Sequence, residues 1–190
     1  AGYGVYLPHH GGRGVSMSKG LVHLYCGDGK GKTTAAMGLA VRAAGSGMKV
    51  VVVQFLKDGD SSELSILSSL PNVTVLSGKP VKGFSFSMTP EEKALVAKTH
   101  NGYLETAIAL YQEGKAQLIV LDEAVAALSL NMLNRERLLT FLRGDEHPEV
   151  VLTGRGPDSE LQELADYITE MTLRRHPYDR GIMARKGIEY

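Results

Sequence analysis

The sequence has no tryptophan, a single cysteine, no net charge and no long apolar run. Its 21 acidic and 21 basic side chains balance, which argues against binding to nucleic acid or to an anionic membrane surface. The one cysteine, Cys26, excludes an intrachain disulfide, fits a reducing cytoplasm and is predicted to be a small buried apolar residue. No apolar run approaches the roughly 20 residues of a membrane-spanning helix. These absences favour a cytoplasmic protein that acts on small molecules.

The length of the chain sets the number of domains. A chain of 190 residues with 43% apolar content can bury one good core and has little room for a second. Residues 1–16 carry five glycines and the pair His9 and His10, without periodicity. We interpret them as a leader or disordered arm. We expect a single domain over residues 17–190.

Strand-like and helix-like segments alternate along this domain. Helical turns are predicted after Ser61, a Thr89 N-cap precedes a helix that runs to about Glu113, Asn134 caps a helix over residues 135–143, and Asp158 introduces a short helix. Apolar stretches between them predict strands at residues 21–26, 49–55, 73–76, 118–121, 150–153 and 167–169. The alternation predicts a three-layer α/β domain with a mostly parallel sheet.

A glycine-rich loop joins the first predicted strand to the first predicted helix. Backbone N–H groups in such a loop point at phosphate oxygens, and the helix N-terminus adds positive partial charge. Lys32 can neutralise the distal phosphates and Thr33 can ligate Mg²⁺. The first glycine of the usual motif falls on Cys26, so glycine arrives one residue late. The loop nevertheless predicts a triphosphate site, formed by Gly27, Asp28, Gly29, Lys30, Gly31, Lys32, Thr33 and Thr34.

Two carboxylates, Asp122 and Glu123, end the predicted strand at residues 118–121. In open α/β sheets ligands gather at the carboxyl ends of strands, where the phosphate loop also lies. One carboxylate can hold Mg²⁺ together with Thr33, directly or through water, while the other orients water or supports the loop. Such a pair is otherwise a helix N-cap and a first-turn acid. The presence of the phosphate loop favours the metal site.

In this order the motifs resemble one family, the P-loop ATP:corrinoid adenosyltransferases, also called cob(I)yrinic acid a,c-diamide adenosyltransferases. The resemblance covers about residues 20–190 and implies a P-loop NTPase-like (RecA-like) fold. It includes the late glycine of the loop. The matching segments are residues 27–34, 42–45, 54–57, 121–123, 153–155, 165–166, 170–171, 176–178 and 187–190.

The resemblance implies transfer of the 5′-deoxyadenosyl group of ATP to the Co(I) of a reduced corrinoid, with release of tripolyphosphate. Because the substrate's cobalt is the nucleophile, the protein needs no nucleophile or general base of its own. Catalysis then falls to Lys32, Thr33 and Glu123, with Mg²⁺ or Mn²⁺ held by Thr33, Asp122 and Glu123. The family also implies an electron donor that supplies Co(I) and a homodimer.

The resemblance extends to the corrinoid and to two arginines. Phe84 and Phe86 align with family aromatics that form a wall against the corrinoid and strip the lower axial ligand from cobalt. The family's tryptophan is Phe86 here, and core packing is the other reading of both rings. Arg155 resembles a nucleotide or phosphate contact, and otherwise is a surface residue. Arg42 is a nucleotide contact or a salt-bridge partner.

Two other functions use the same phosphate loop. A small-molecule kinase would transfer the γ-phosphate to a hydroxyl and release ADP. A non-catalytic protein would bind ATP or corrinoid without turnover. Neither accounts for the resemblance of the aromatic loop and the C-terminal segment.

Overall fold

The computed structural model describes residues 19–57, 61–78 and 88–189. One six-stranded sheet has the order β3-β2-β4-β5-β1-β6, and every neighbouring pair of strands is parallel. The carboxyl ends of all six strands therefore lie along one edge. The strands are β1 Val22–Cys26, β2 Val50–Gln54, β3 Val73–Leu76, β4 Leu118–Asp122, β5 Glu149–Thr153 and β6 Tyr167–Glu170. The predicted parallel sheet is confirmed.

Helices connect the strands and cover the sheet. They are α1 Lys32–Gly45, α2 Ser62–Leu67, α3 Pro90–Gln112, α4 Ala124–Ser129, α5 Arg135–Arg143 and α6 Ser159–Leu164, followed by a 3-10 turn, Pro177–Arg180. Among the described residues, no helix combines the length and apolarity needed to cross a membrane.

Two hydrophobic clusters, one on each face of the sheet, form the core. On β2, Val51 and Val53 belong to the cluster that includes residues of α3, α4 and α5, whereas Val50 and Val52 belong to the cluster of α1. A strand buried on both faces has no polar side to alternate with. This explains the unbroken valine run and confirms the three-layer α/β prediction.

Capping residues fix the predicted helix ends. The Thr89 side chain accepts from the Glu92 backbone N–H while the Glu92 carboxylate accepts from the Thr89 N–H, which completes a capping box at α3. Asn134 and Asp158 cap α5 and α6 more simply: each side chain accepts one hydrogen bond from a backbone N–H in the first turn of its helix. Helix α4 is not predicted by any local signal in the sequence. It has only six residues, four of them buried, so it shows neither a polar face nor a capping side chain.

Candidate nucleotide-binding site

The phosphate loop begins its turn at Gly27, not at Cys26. Cys26 ends β1 as a free, buried residue, as predicted, and only 7% of it is exposed. Gly27 takes a left-handed φ of 96°, and a Cβ there would lie 2.5 Å from the Met171 carbonyl oxygen. Only glycine fits such a conformation against backbone. The late glycine of the sequence is therefore the residue that the turn requires.

The N-terminus of α1 faces this loop without a capping side chain. Gly31, with φ 117°, precedes α1, and no side chain among the described residues caps the helix. Its first turn contains no acidic residue. The unbonded N–H groups of a first turn and the positive end of the helix dipole both favour an anion. This end of α1 has the properties of a phosphate site.

Lys32 folds back onto the loop. Its Nζ donates to the carbonyl oxygens of Gly27 at 2.6 Å and Gly29 at 2.8 Å. Burial, and then the positive charge of Arg155, lower the pKa of Lys32 below its usual value. The ammonium group thus lies within the loop, where a phosphate oxygen can replace either carbonyl.

Met171, the residue directly after β6, contacts the backbone of the phosphate loop. The Gly29 N–H donates to the Met171 carbonyl at 2.6 Å, and the Met171 N–H donates to the Cys26 carbonyl at 2.8 Å. A Cβ on Gly29 would lie 2.6 Å from the Met171 oxygen. Met171 therefore sets the position of the loop through backbone contacts. The sequence pointed to it only as part of the family resemblance.

Asp122 lies at the centre of a buried hydrogen-bond network at the end of β4. Its side chain is fully buried. Oδ1 accepts from the hydroxyls of Thr33 and Thr153, both at 2.8 Å. Oδ2 accepts from Gln54 Nε2 at 3.2 Å and from Lys57 Nζ at 3.1 Å. The network joins the carboxyl ends of β2, β4 and β5 to the first turn of α1.

Glu123 turns the chain from β4 into α4. It has a left-handed φ of 60°, which is uncommon for a residue with a side chain, and its N–H donates to Thr153 Oγ1 at 2.9 Å. Burial and the neighbouring Asp122 raise the pKa of Glu123. Such backbone strain is typical of functional sites, and here the surrounding hydrogen bonds maintain it.

The donor groups at this point fit a hard divalent cation. Thr33 supplies a hydroxyl and the adjacent carboxylates supply oxygens, the ligands that Mg²⁺ prefers. Glu123 is partly buried next to the fully buried Asp122, and burial together with the charge of Asp122 raises its pKa; a cation would offset the negative charge of the pair. The described residues contain no cluster of three or more acidic, histidine or cysteine ligands. Mg²⁺ usually binds through one or two carboxylates together with substrate phosphates and water.

The two predicted arginines lie at different distances from the phosphate loop. Arg155 follows β5 on the same edge, close enough that its charge lowers the pKa of Lys32. Arg42 lies in the last turn of α1, about 15 Å along the helix from Lys32 at 1.5 Å per residue, and is exposed. The helix places Arg42 at the end of α1 that is farther from the loop, and its contact with a nucleotide stays a prediction. Phe84 and Phe86 lie outside the described residues.

Three neighbours of Asp122 were not assigned a role from the sequence. Gln54 is the one polar residue of β2, and its polarity after four valines was the available signal. Lys57 and Thr153 occur in segments that carry the family resemblance, but nothing in the sequence connects either with a carboxylate. Their contact with Asp122 depends on the order of the strands.

A phosphate loop before α1 and a buried carboxylate on a nearby parallel strand define a nucleotide-binding α/β protein of the P-loop class. Within that class, a family profile described as "ATP:corrinoid adenosyltransferase BtuR/CobO/CobP" matches residues 18–190. The chain belongs to this family, whose members are transferases.

Individual relatives agree with the profile. A corrinoid adenosyltransferase of Pseudomonas aeruginosa is 35% identical over 174 residues, which cover 90% of this chain and 84% of the relative. The corrinoid adenosyltransferase CobA of Salmonella typhimurium is 33% identical over 183 residues, covering 90% and 86%. One from Escherichia coli K12 is 30% identical over 174 residues, also covering 90% and 86%. The similarity extends through all six strands.

Proposed function

We propose that this protein transfers the 5′-deoxyadenosyl group of ATP to the Co(I) of a reduced corrinoid and releases tripolyphosphate. The electron pair of Co(I) attacks the ribose C5′ and forms the Co–C bond. The C5′–O bond breaks, its electrons leave with the triphosphate oxygen, and cobalt is oxidised by two electrons to Co(III). The family membership supports this activity. The hydrogen bond between Thr33 and Asp122, next to Lys32, is the observation that connects the activity with this site.

The side chains of the loop act on the leaving group. Lys32 and the N-terminus of α1 offset the negative charge that develops on triphosphate as the C5′–O bond breaks. The backbone bonds to Met171 hold the loop in place without substrate, and α1 begins directly after Gly31. Holding C5′ in line with cobalt supplies the remaining rate increase by orientation. In this proposal Arg155 adds a contact to the nucleotide.

Thr33, Asp122 and Glu123 would hold Mg²⁺ or Mn²⁺. When bound, such an ion adds Lewis-acid stabilisation of the leaving triphosphate. Asp122 orients the Thr33 hydroxyl by accepting a hydrogen bond from it, which leaves the oxygen lone pairs of Thr33 free to face the ligand. Glu123 offers a second carboxylate beside it. Each of these assignments belongs to the proposal.

Three finer features of the proposal come from the family resemblance: a corrinoid wall formed by Phe84 and Phe86, an external electron donor for Co(I) and a homodimer. The composition and the length of the chain favour a cytoplasmic location and a single domain over residues 17–190. The proposal includes no nucleic-acid or membrane partner, because the acidic and basic side chains balance.

An anaerobic assay with ATP and a chemically reduced corrinoid tests the proposal. We expect the absorbance change of Co–C bond formation together with tripolyphosphate. Lys32→Ala should abolish both, whereas Lys49→Ala, an exposed lysine before β2, should retain both. Release of ADP without a light-sensitive cobalt product would overturn the proposal in favour of phosphoryl transfer. Binding of ATP without any product would favour a non-catalytic role.

A further inference from the structure

Lys57 places a positive charge on the carboxylate at the centre of the candidate site. Its Nζ lies 3.1 Å from Asp122 Oδ2. The Asp122 side chain is 0% exposed, whereas that of Lys57 is 30% exposed. The carboxylate is thus fully buried, whereas part of the Lys57 side chain is exposed to solvent.

The orientation of Asp122 does not depend on Lys57. Both hydroxyls on Oδ1, from Thr33 and Thr153, would remain if Lys57 were removed, and Gln54 would still donate to Oδ2. Three neutral donors would therefore still engage both oxygens of the carboxylate. What Lys57 adds to the network is therefore its charge.

The backbone after β2 directs Lys57 toward Asp122. Phe55 N–H donates to the Asp122 carbonyl at 3.0 Å, and Leu56 then takes a left-handed φ of 58°. His100 holds this turn, since its Nε2 accepts from the Leu56 N–H at 3.2 Å while its Nδ1 contacts the Met132 carbonyl at 3.0 Å. A strained turn kept in place by a buried side chain indicates that the direction of the next residue matters.

We propose that Lys57 is an internal counter-ion of Asp122 that weakens divalent-cation binding until a triphosphate is bound. A cation held by Thr33 and Asp122 would share the Asp122 carboxylate with the Lys57 ammonium, and two positive charges on one buried carboxylate repel each other. The negative charge of a triphosphate offsets this repulsion and gives the ammonium a new partner. Cation and nucleotide therefore bind cooperatively. The inference rests on the proposed function only in taking ATP as the source of the triphosphate.

The affinity for Mn²⁺ alone, measured by electron paramagnetic resonance without nucleotide or corrinoid, tests this role. We expect Lys57→Met to bind Mn²⁺ about tenfold more tightly than the wild type, because a like charge has been removed. Lys57→Arg keeps the charge and should bind as weakly as the wild type. Lys49→Met, which removes the same charge at the opposite edge of the sheet, should leave the affinity unchanged. Adding Thr33→Val to Lys57→Met should abolish the gain.

Equal, weaker or undetectable Mn²⁺ binding by Lys57→Met would overturn the proposal, since a merely structural lysine would give no gain. Thermal unfolding checks that the variant is folded. If Lys57→Met does not fold, Lys57→Gln removes the same charge and keeps a donor for Asp122, and the same criteria apply to it. The readout involves no turnover. Failure of adenosyl transfer would therefore leave this result intact, and the reverse also holds.

Discussion

The hydroxyl of Thr33 donates to Asp122 across 89 residues of sequence, at a distance of 2.8 Å. The bond joins the first turn of α1 to the end of β4. It fixes the direction of the Thr33 hydroxyl relative to the phosphate loop. It also supplies one of the hydrogen bonds that the fully buried Asp122 carboxylate requires. The two motifs that the sequence presents separately thus form one unit.

Replacing Thr33 tests this unit. Thr33→Val removes the hydroxyl while keeping the shape, and we expect the rate of Co–C bond formation to fall about 100-fold, the usual scale for losing one preorganised electrostatic contact. Unfolding free energy should decrease by only about 1–2 kcal/mol, because Thr153 still donates to the same oxygen. Thr33→Ser keeps the hydroxyl and should remain near wild-type activity. Equal activity of the Val and Ser variants would contradict the assignment.

Two glycine-to-alanine changes should have opposite effects. In Gly29→Ala the new Cβ would lie 2.6 Å from the Met171 carbonyl oxygen, so the loop must shift. We expect ATP affinity to fall at least tenfold and stability to fall by about 1–3 kcal/mol. Gly38→Ala lies within α1, where the Cβ meets nothing within 4 Å. It should stabilise the protein by about 0.5–1 kcal/mol and preserve ATP binding. Calorimetric titration and urea unfolding measure both quantities.

His100 should make stability depend on pH. Burial lowers its pKa below the ordinary 6.5, although the bond to Met132 opposes this effect. Between the folded and unfolded pKa values the unfolded chain binds more protons, so stability is complete above about pH 6.5 and decreases as the pH falls. The slope from one group is at most about 1.4 kcal/mol per pH unit.

The variant His100→Gln isolates this contribution. Gln cannot gain a proton, so its unfolding free energy should change less between pH 7.5 and 5.5 than that of the wild type. Urea unfolding at the two pH values gives the comparison. If both proteins lost the same stability on acidification, the acid sensitivity would come from other groups.

The capping box of α3 should contribute to stability without affecting the site. Thr89→Ala leaves the Glu92 N–H without its acceptor and should cost about 1 kcal/mol in unfolding free energy. Thr106→Ala, an exposed threonine within α3 whose hydroxyl bonds the Gly102 carbonyl, should cost nothing or stabilise slightly, because alanine is the better helix former. ATP binding should be unchanged in both variants. A similar loss of stability in the two would argue against the cap.

Local signals predicted most of the fold. The α3 prediction, from the Thr89 cap to about Glu113, agrees with the observed Pro90–Gln112 because the capping pattern and the left-handed Gly114 are encoded within a few residues. The β3 prediction is identical to the observed Val73–Leu76. By contrast, α4 escaped prediction because its buried, uncapped residues resemble any apolar run.

The candidate site likewise has one part that a short stretch of sequence predicted and another part that it did not. The phosphate loop could be read from sequence because its chemistry lies within eight consecutive residues, and its role here stays a prediction. Arg42 lies ten positions into the helix that follows the loop, about 15 Å along its axis from Lys32, and a nucleotide contact there stays a prediction.

The amino-acid sequence by itself determined the alternation of strands and helices, the caps and the glycine loop, because each depends on residues a few positions apart. Only the tertiary structure decided what surrounds Asp122. Its strand, β4, lies between β2 and β5, and the register sets Gln54 beside Asp122. Thr153 ends β5, and Lys57 returns after the turn at Leu56. Strand order and register depend on packing across the whole sheet, which no local stretch of sequence encodes.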